Sequence, residues 1–79
     1  MRIIFYTRED CHLCDVAERL LSATAPDMTP EWVDVDDDDD LEARYGARVP
    51  VLRREPGGAE LAWPFDAVSL AAFLGRGEY

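Results

Sequence analysis

A chain of 79 residues with 17 acidic side chains, 8 basic side chains and a net charge of −9 is short enough for one domain only. The acidic balance excludes a nucleic-acid-binding protein, because phosphates require a basic face. Its apolar runs are far shorter than the roughly 18–20 residues that cross a bilayer, and the N-terminal run is too short for a signal peptide. We therefore expect a monomeric cytoplasmic protein with a single domain over residues 1–79 and without contact to a membrane.

The first predicted element is a buried strand over residues 2–7, RIIFYT, which is rich in β-branched and aromatic residues. Apolar side chains then recur with the spacing of an amphipathic helix, at Leu13, Val16, Ala17, Leu20 and Leu21. We expect Asp10 to be the N-cap of this helix and Pro26 to end the pattern.

Residues 31–35, EWVDV, alternate between polar and apolar and predict a second strand. The five aspartates of residues 36–40 are interpreted as a solvated loop and a helix N-terminus, where acids suit the helix dipole. A calcium loop is rejected, because Leu41 stands where such a loop needs glycine. A short helix over residues 41–45 should end at Gly46.

The last third of the chain predicts a hairpin and a helix. Residues 49–54 form a third strand, EPGG at 55–58 makes a turn, and residues 59–63 form a fourth strand antiparallel to the third. Asp66 can cap a last helix that ends at Gly75. The apolar face of that helix consists of Leu70, Phe73 and Leu74.

The predicted order is β-α-β-α-β-β-α, which is an α/β fold. A β-α-β unit must be parallel with a right-handed crossover, and a hairpin then extends the sheet. We therefore expect a four-stranded mixed sheet with three helices over its faces.

Both cysteines and the one histidine lie within four residues: Cys11, His12 and Cys14. Residues i and i+3 share one side of a helical turn, so the two sulfurs can bond with little backbone movement. A loop this small stabilises a fold very little, which favours a chemical role for the pair. Cys11 should lie at the helix N-terminus, where a thiolate is favoured, and Cys14 one turn deeper should be shielded.

The charges around Cys11 oppose one another. Arg8 and His12 would stabilise its thiolate, whereas nearby acids would destabilise it: Glu9, Asp10 and Asp15. A zinc site within the chain is disfavoured, because such sites need four ligands and the motif offers three. Two further interpretations compete with redox chemistry: a metal or iron–sulfur cluster shared between two chains, and a pair of inert buried cysteines.

The motif and its surroundings resemble the glutaredoxins of the thioredoxin superfamily. FYTREDCHLC is similar to their strand-plus-motif pattern Y-T-K-x-x-C-P-Y-C, and ARYGARVPVL is similar to their short helix, glycine and T-V-P segment. More narrowly, the chain resembles small bacterial glutaredoxin-like proteins with a C-x-L-C motif. The resemblance implies a thioredoxin/glutaredoxin-like fold with Cys11 as nucleophile and Cys14 as resolving cysteine. It also implies a cis Pro50 beside them, with the backbone of Val49 presented to a substrate.

Three departures from the glutaredoxin pattern concern glutathione. The motif interior is His12–Leu13 rather than proline–tyrosine, Arg48 replaces a threonine, and WPFD at residues 63–66 stands in place of a Gly-Gly-Asp segment. The resemblance still implies glutathione as reductant or partner. Its carboxylates would then pair with Arg8 and Arg48, since guanidinium groups bind carboxylates with two hydrogen bonds.

The sequence thus predicts a cytosolic thiol–disulfide oxidoreductase without a bound cofactor or metal ion. Its partner would be a disulfide-containing protein or a glutathione mixed disulfide, with glutathione as a co-substrate. The alternative is a non-enzymatic thioredoxin-fold module that binds a partner or carries a metal or an iron–sulfur cluster.

Overall fold

The computed structural model describes residues 1–75, and its element order confirms the predicted fold class. Strands β1 to β4 span Arg2–Thr7, Glu31–Asp34, Val51–Glu55 and Ala59–Ala62. Helices α1 to α3 span His12–Thr24, Asp39–Tyr45 and Ala67–Phe73. A short 3-10 turn, Val35–Asp37, joins β2 to α2.

The four strands form one mixed sheet in the order β2-β1-β3-β4. β1 pairs in parallel with β2 and antiparallel with β3, and β3 pairs antiparallel with β4. Phe5 of β1 is opposite Trp32 on one side and Leu52 on the other. The most apolar strand thus lies inside the sheet, and the cysteine motif leaves from the end of this inner strand.

The core consists of one cluster on each face of the sheet. On the first face, α1 and α3 pack together over β1 and β3. The buried residues of this first cluster are Ile3, Phe5, Cys14, Ala17, Leu21, Ala25, Leu52, Phe65, Leu70 and Leu74. On the second face, Tyr45 of α2 stacks on Tyr6 with ring centroids 4.1 Å apart, beside the buried Val35 and Val51.

The N-cap of α1 is Cys11, so the prediction of Asp10 in this role was wrong. Asp10 has φ 59°, in the left-handed region that aspartate tolerates in turns, whereas an N-cap residue needs extended backbone. Cys11 has that extended conformation, with φ −100° and ψ 102°. α1 ends at Thr24, because Ala25 precedes a proline and leaves the helical region.

Two aspartates within the acidic region cap the elements that follow them. Oδ1 of Asp34 accepts the N–H of Asp36 at 2.8 Å, at the start of the 3-10 turn. Oδ1 of Asp38 accepts the N–H groups of Asp40 at 2.8 Å and Leu41 at 3.2 Å. α2 therefore begins two residues before the predicted start, since the cap extends its first turn back into the aspartate run.

Asp66 caps α3 as predicted, through a reciprocal capping box with Ser69. The carboxylate accepts the Ser69 N–H at 2.8 Å, and the Asp66 N–H donates to the Ser69 hydroxyl at 3.0 Å. The hydrogen bonds that the N–H and the hydroxyl of Ser69 donate to the carboxylate hold the pKa of Asp66 below its usual value. The ionised form is thus favoured in the folded protein.

We expect Asp66→Ala to lower the melting temperature by several degrees at neutral pH, because the helix loses its N-cap. A carboxyl group with a lowered pKa stabilises the fold above its usual pKa, and this contribution is lost as the pH falls through the folded-state pKa. The difference from wild type should therefore shrink below a pH of about 4. Asp66→Asn, a neutral cap, is the matched control and should keep a pH-independent advantage over alanine. A wild-type advantage that is equal at neutral and acid pH would contradict a role for the charge.

Candidate functional site

Cys11 and Cys14 form a disulfide at the start of α1, after the loop that follows the inner strand β1, with their Cα atoms 5.2 Å apart. This separation lies within the usual range for disulfides. Cys11 is the N-cap of α1 and Cys14 lies in its first turn, so the start of this helix brings the two sulfurs together.

The two cysteines differ in burial and in hydrogen bonding. Cys14 is 4% exposed and belongs to the first core cluster, whereas Cys11 is only partly buried at the edge of that cluster. The Sγ atom of Cys11 accepts the N–H of Cys14 at 3.1 Å, as the N-cap of α1. A backbone N–H and the positive end of a helix both favour negative charge on that sulfur.

His12 and Leu13, the two residues between the cysteines, are exposed on the first turn of α1. Leu13 is 44% exposed, which is unusual for a leucine on the predicted apolar face. The role of His12 as a modulator of Cys11 stays a prediction.

The Val49–Pro50 peptide bond is cis, as the resemblance implied. Val49 packs against the first core cluster, as Cys11 does, and Pro50 is fully buried. The carbonyl of Pro50 accepts the N–H of Trp63 at 3.0 Å, and the N–H of Val49 donates to the carbonyl of Tyr45 at the same distance. The turn before β3 is thus held on both sides; substrate binding by Val49 and Pro50 stays a prediction.

Arg8, proposed from the sequence as a modulator and a glutathione ligand, has three partners within the protein. Nη1 donates to the carbonyl of Gly46 at 2.9 Å. Nη2 donates to Asp36 at 2.7 Å and to Glu42 at 3.2 Å. These two carboxylates raise the pKa of Arg8 above its usual value. The guanidinium is therefore bound to groups that lie 28 to 38 residues away in the sequence. Nothing in the local sequence indicates these contacts.

Arg48, the second candidate for a glutathione carboxylate, lies over the ring of Tyr45 at 5.3 Å from its centroid. It pairs with Glu60 at 3.5 Å and donates to the carbonyl of Arg44 at 3.4 Å. Within residues 1–75 these contacts share no partner with those of Arg8. The structure thus holds the two arginines in separate networks.

Over residues 1–75, the structure contains no group of three or more histidine, cysteine, aspartate or glutamate side chains arranged to hold a metal ion. None of the helices in this range is long and apolar enough to span a membrane.

A model of a glutaredoxin-like domain (DUF836) matches residues 2–75. The chain is 50% identical to the structural genomics target protein XcR50 from X. campestris, whose crystal structure superposes with a TM-score of 0.83 over 96% of this chain and 99% of that one. The solution structure of XcR50 is 49% identical and gives a TM-score of 0.81, with 100% and 99% covered.

Thioredoxin 1 from Thermosipho africanus shares the fold at 18% identity, with a TM-score of 0.69 over 96% of this chain and 92% of that one. None of the curated proteins is significantly similar to the chain. The match over residues 2–75, which is nearly the whole chain, shows that the chain belongs to the glutaredoxin-like domain family.

Proposed function

We propose that this protein is a thiol–disulfide oxidoreductase in which Cys11 is the nucleophile and Cys14 the resolving cysteine. The observation that carries the proposal is the difference between the two sulfurs. Cys11 is partly exposed and accepts a backbone N–H at the start of α1, whereas Cys14 is only 4% exposed. One sulfur is thus accessible and stabilised as a thiolate, and the other is protected until the first has reacted.

The proposed reaction consists of two exchange steps. The Cys11 thiolate attacks one sulfur of a substrate disulfide, a bond forms between these sulfurs, and the other substrate sulfur leaves as a thiolate that takes a proton. Cys14 then loses its proton and attacks the Cys11 sulfur, which releases the second substrate thiol. The substrate gains two electrons and two protons, and the protein ends with the Cys11–Cys14 disulfide described above.

We propose a protein disulfide as the main substrate and glutathione as a weaker co-substrate. Glutathione carries a net negative charge, and both candidate ligands, Arg8 and Arg48, already pair with carboxylates. The net charge of −9 adds repulsion at long range. The exposed Leu13 beside Cys11 instead offers an apolar contact to a protein partner. The cycle needs a thiol reductant, which supports the cytoplasm as the proposed location.

The first test is alkylation of the reduced protein with iodoacetamide at slightly acid pH, followed by mass spectrometry. We expect Cys11 to react at least tenfold faster than Cys14, because the thiolate is the reacting form and only Cys11 is both accessible and stabilised. In concentrated urea, which serves as the control, the two rates should converge. Equal rates in the folded protein would contradict the assignment of nucleophile and resolver.

The second part of the test is turnover of insulin disulfides with dithiothreitol as the electron donor. The native protein should accelerate the reduction, and protein alkylated at Cys11 should not. Background rates combined with zinc or iron in the purified protein would favour the metal-carrying module instead.

A further inference from the structure

Arg8 connects the two segments of the candidate site, which are the cysteine loop and the turn that leads to Val49–Pro50. It follows the last residue of β1 and precedes Cys11 by three residues. Its side chain is 32% exposed and reaches from this loop to the 3-10 turn through Asp36 and to α2 through Glu42. The guanidinium therefore connects the loop of the redox pair to the elements on the other face of the sheet.

Gly46 shows how tightly this connection is packed. A Cβ atom at Gly46 would overlap the carboxylate of Glu42, which lies against the glycine and accepts a hydrogen bond from Arg8. The backbone of Gly46 has φ −53°, which any residue adopts, so space rather than conformation favours glycine here. The space that a side chain at position 46 would need is thus taken by the Glu42 carboxylate of the ion pair.

The hydrogen bond from Arg8 to Gly46 also fixes the turn that leads to the cis-proline. The carbonyl of Tyr45 accepts the N–H groups of both Arg48, at 2.8 Å, and Val49, at 3.0 Å. The chain from Tyr45 to Val49 therefore folds back tightly, and Arg8 holds the carbonyl in the middle of it at 2.9 Å. A displacement of Gly46 would be passed to Val49 within three residues.

The charges of this cluster argue against attraction of an anion. One guanidinium faces two carboxylates, Asp36 and Glu42, so the three groups together carry a formal charge of −1. A substrate carboxylate would have to displace one that is already bound. The same sum makes the cluster a poor source of positive potential for Cys11.

We propose that Arg8 is a positioning residue, which holds the turn before Val49–Pro50 in register with the cysteine loop and does not bind substrate. This rests on the thiol–disulfide exchange proposed above. Arg8 acts through the Gly46 carbonyl, and Asp36 and Glu42 keep its guanidinium in place. The two carboxylates are then required for the function of Arg8 rather than competitors for it.

The test uses opposite expectations for the removal of these carboxylates. The reduced protein is mixed with the disulfide of N-acetylcysteine amide, which has peptide groups but no charge, or with glutathione disulfide. We expect Arg8→Ala and the double variant Asp36→Asn/Glu42→Gln to slow exchange about tenfold with both disulfides. If Arg8 instead bound a substrate carboxylate, the double variant would free it and accelerate exchange with glutathione disulfide alone, which would overturn the proposal.

Two control variants distinguish the positioning effect of Arg8 from the effect of its charge and from a general loss of stability. Arg2→Ala removes an ion pair with Glu31 from the other end of the same strand and should exchange at the wild-type rate. Arg8→Lys retains the charge but not the planar fork, so we expect only partial recovery. Full recovery would show that charge alone matters and would overturn the positioning role.

The pH profile of Cys11 alkylation supplies a readout that loss of structure would change. A positioning residue that acts through Val49 leaves the reaction of Cys11 with the small reagent iodoacetamide unchanged, and Arg8→Ala should match the wild type. A shift of the Cys11 profile by one pH unit or more would overturn the proposal in favour of a direct electrostatic effect.

The exchange rates distinguish failure of the proposed function from failure of this inference. Wild-type exchange no faster than that of a free thiol would overturn both. Rapid exchange that Arg8→Ala leaves unaffected would overturn the inference alone.

Discussion

Replacement of Cys11 by serine is expected to lower kcat/KM for the reduction of insulin disulfides by at least about a thousandfold, which corresponds to about 4 kcal/mol of lost transition-state stabilisation. A hydroxyl group is almost never ionised at neutral pH, and it cannot form the mixed disulfide that the second step requires. The helix N-terminus and the Cys14 N–H at 3.1 Å would then act on an oxygen without a reactive charge.

Cys14→Ser is the matched control for this experiment. It retains the nucleophile, so the first attack should proceed and a mixed disulfide with the substrate should accumulate, visible by mass spectrometry under non-reducing conditions. Accumulation in Cys11→Ser instead, or equal loss of the first step in both variants, would reverse or remove the proposed roles.

A second large effect is expected for Phe5→Ala, which should lower the free energy of unfolding by about 3–5 kcal/mol. Phe5 is fully buried on the inner strand β1, and its ring lies 4.5 Å from that of Trp32. Domains of this size have a total stability of about 4–12 kcal/mol, so this loss would remove a large share of it. Urea unfolding followed by tryptophan fluorescence measures the loss.

Val68→Ala on α3 provides the control, because Val68 is 78% exposed and its removal leaves no cavity. Its free energy of unfolding should stay within about 0.5 kcal/mol of the wild type. A loss for Phe5→Ala as small as that of the control would mean that the sheet core contributes little to stability. Such a result would contradict the central position of β1.

The order of elements could be predicted from the sequence because each depends on local patterns. The apolar run of residues 2–7 and the helical spacing after Leu13 have different periods, so the change from strand to helix is visible. The capping box at Asp66 is likewise contained within four residues. The N-cap of α1 was missed, since aspartate is a common cap and cysteine an uncommon one, and the choice depends on the backbone of Asp10.

The candidate site was predictable only in part, for a related reason. The cysteine pair is a short local motif, the cis bond before Pro50 was implied by the resemblance to glutaredoxins, and both are present in the structure. The partners of Arg8 come from a different element, and a run of five aspartates gives no means to tell which one will face it. Ion pairs between residues that only the tertiary structure brings together cannot be predicted from residue spacing in a single sequence.

The position of the Cys11 sulfur as the N-cap of α1 couples the chemistry of one atom to the winding of a helix. By thermodynamic linkage, whatever free energy the first turn contributes to the thiolate, the thiolate contributes equally to the first turn. In the proposed exchange, Cys11 loses its negative charge when it bonds to a substrate sulfur, and the start of the helix then loses that electrostatic support. Cys14 belongs to the same turn, so we expect this turn to be less stable at the stage in which Cys14 is proposed to attack.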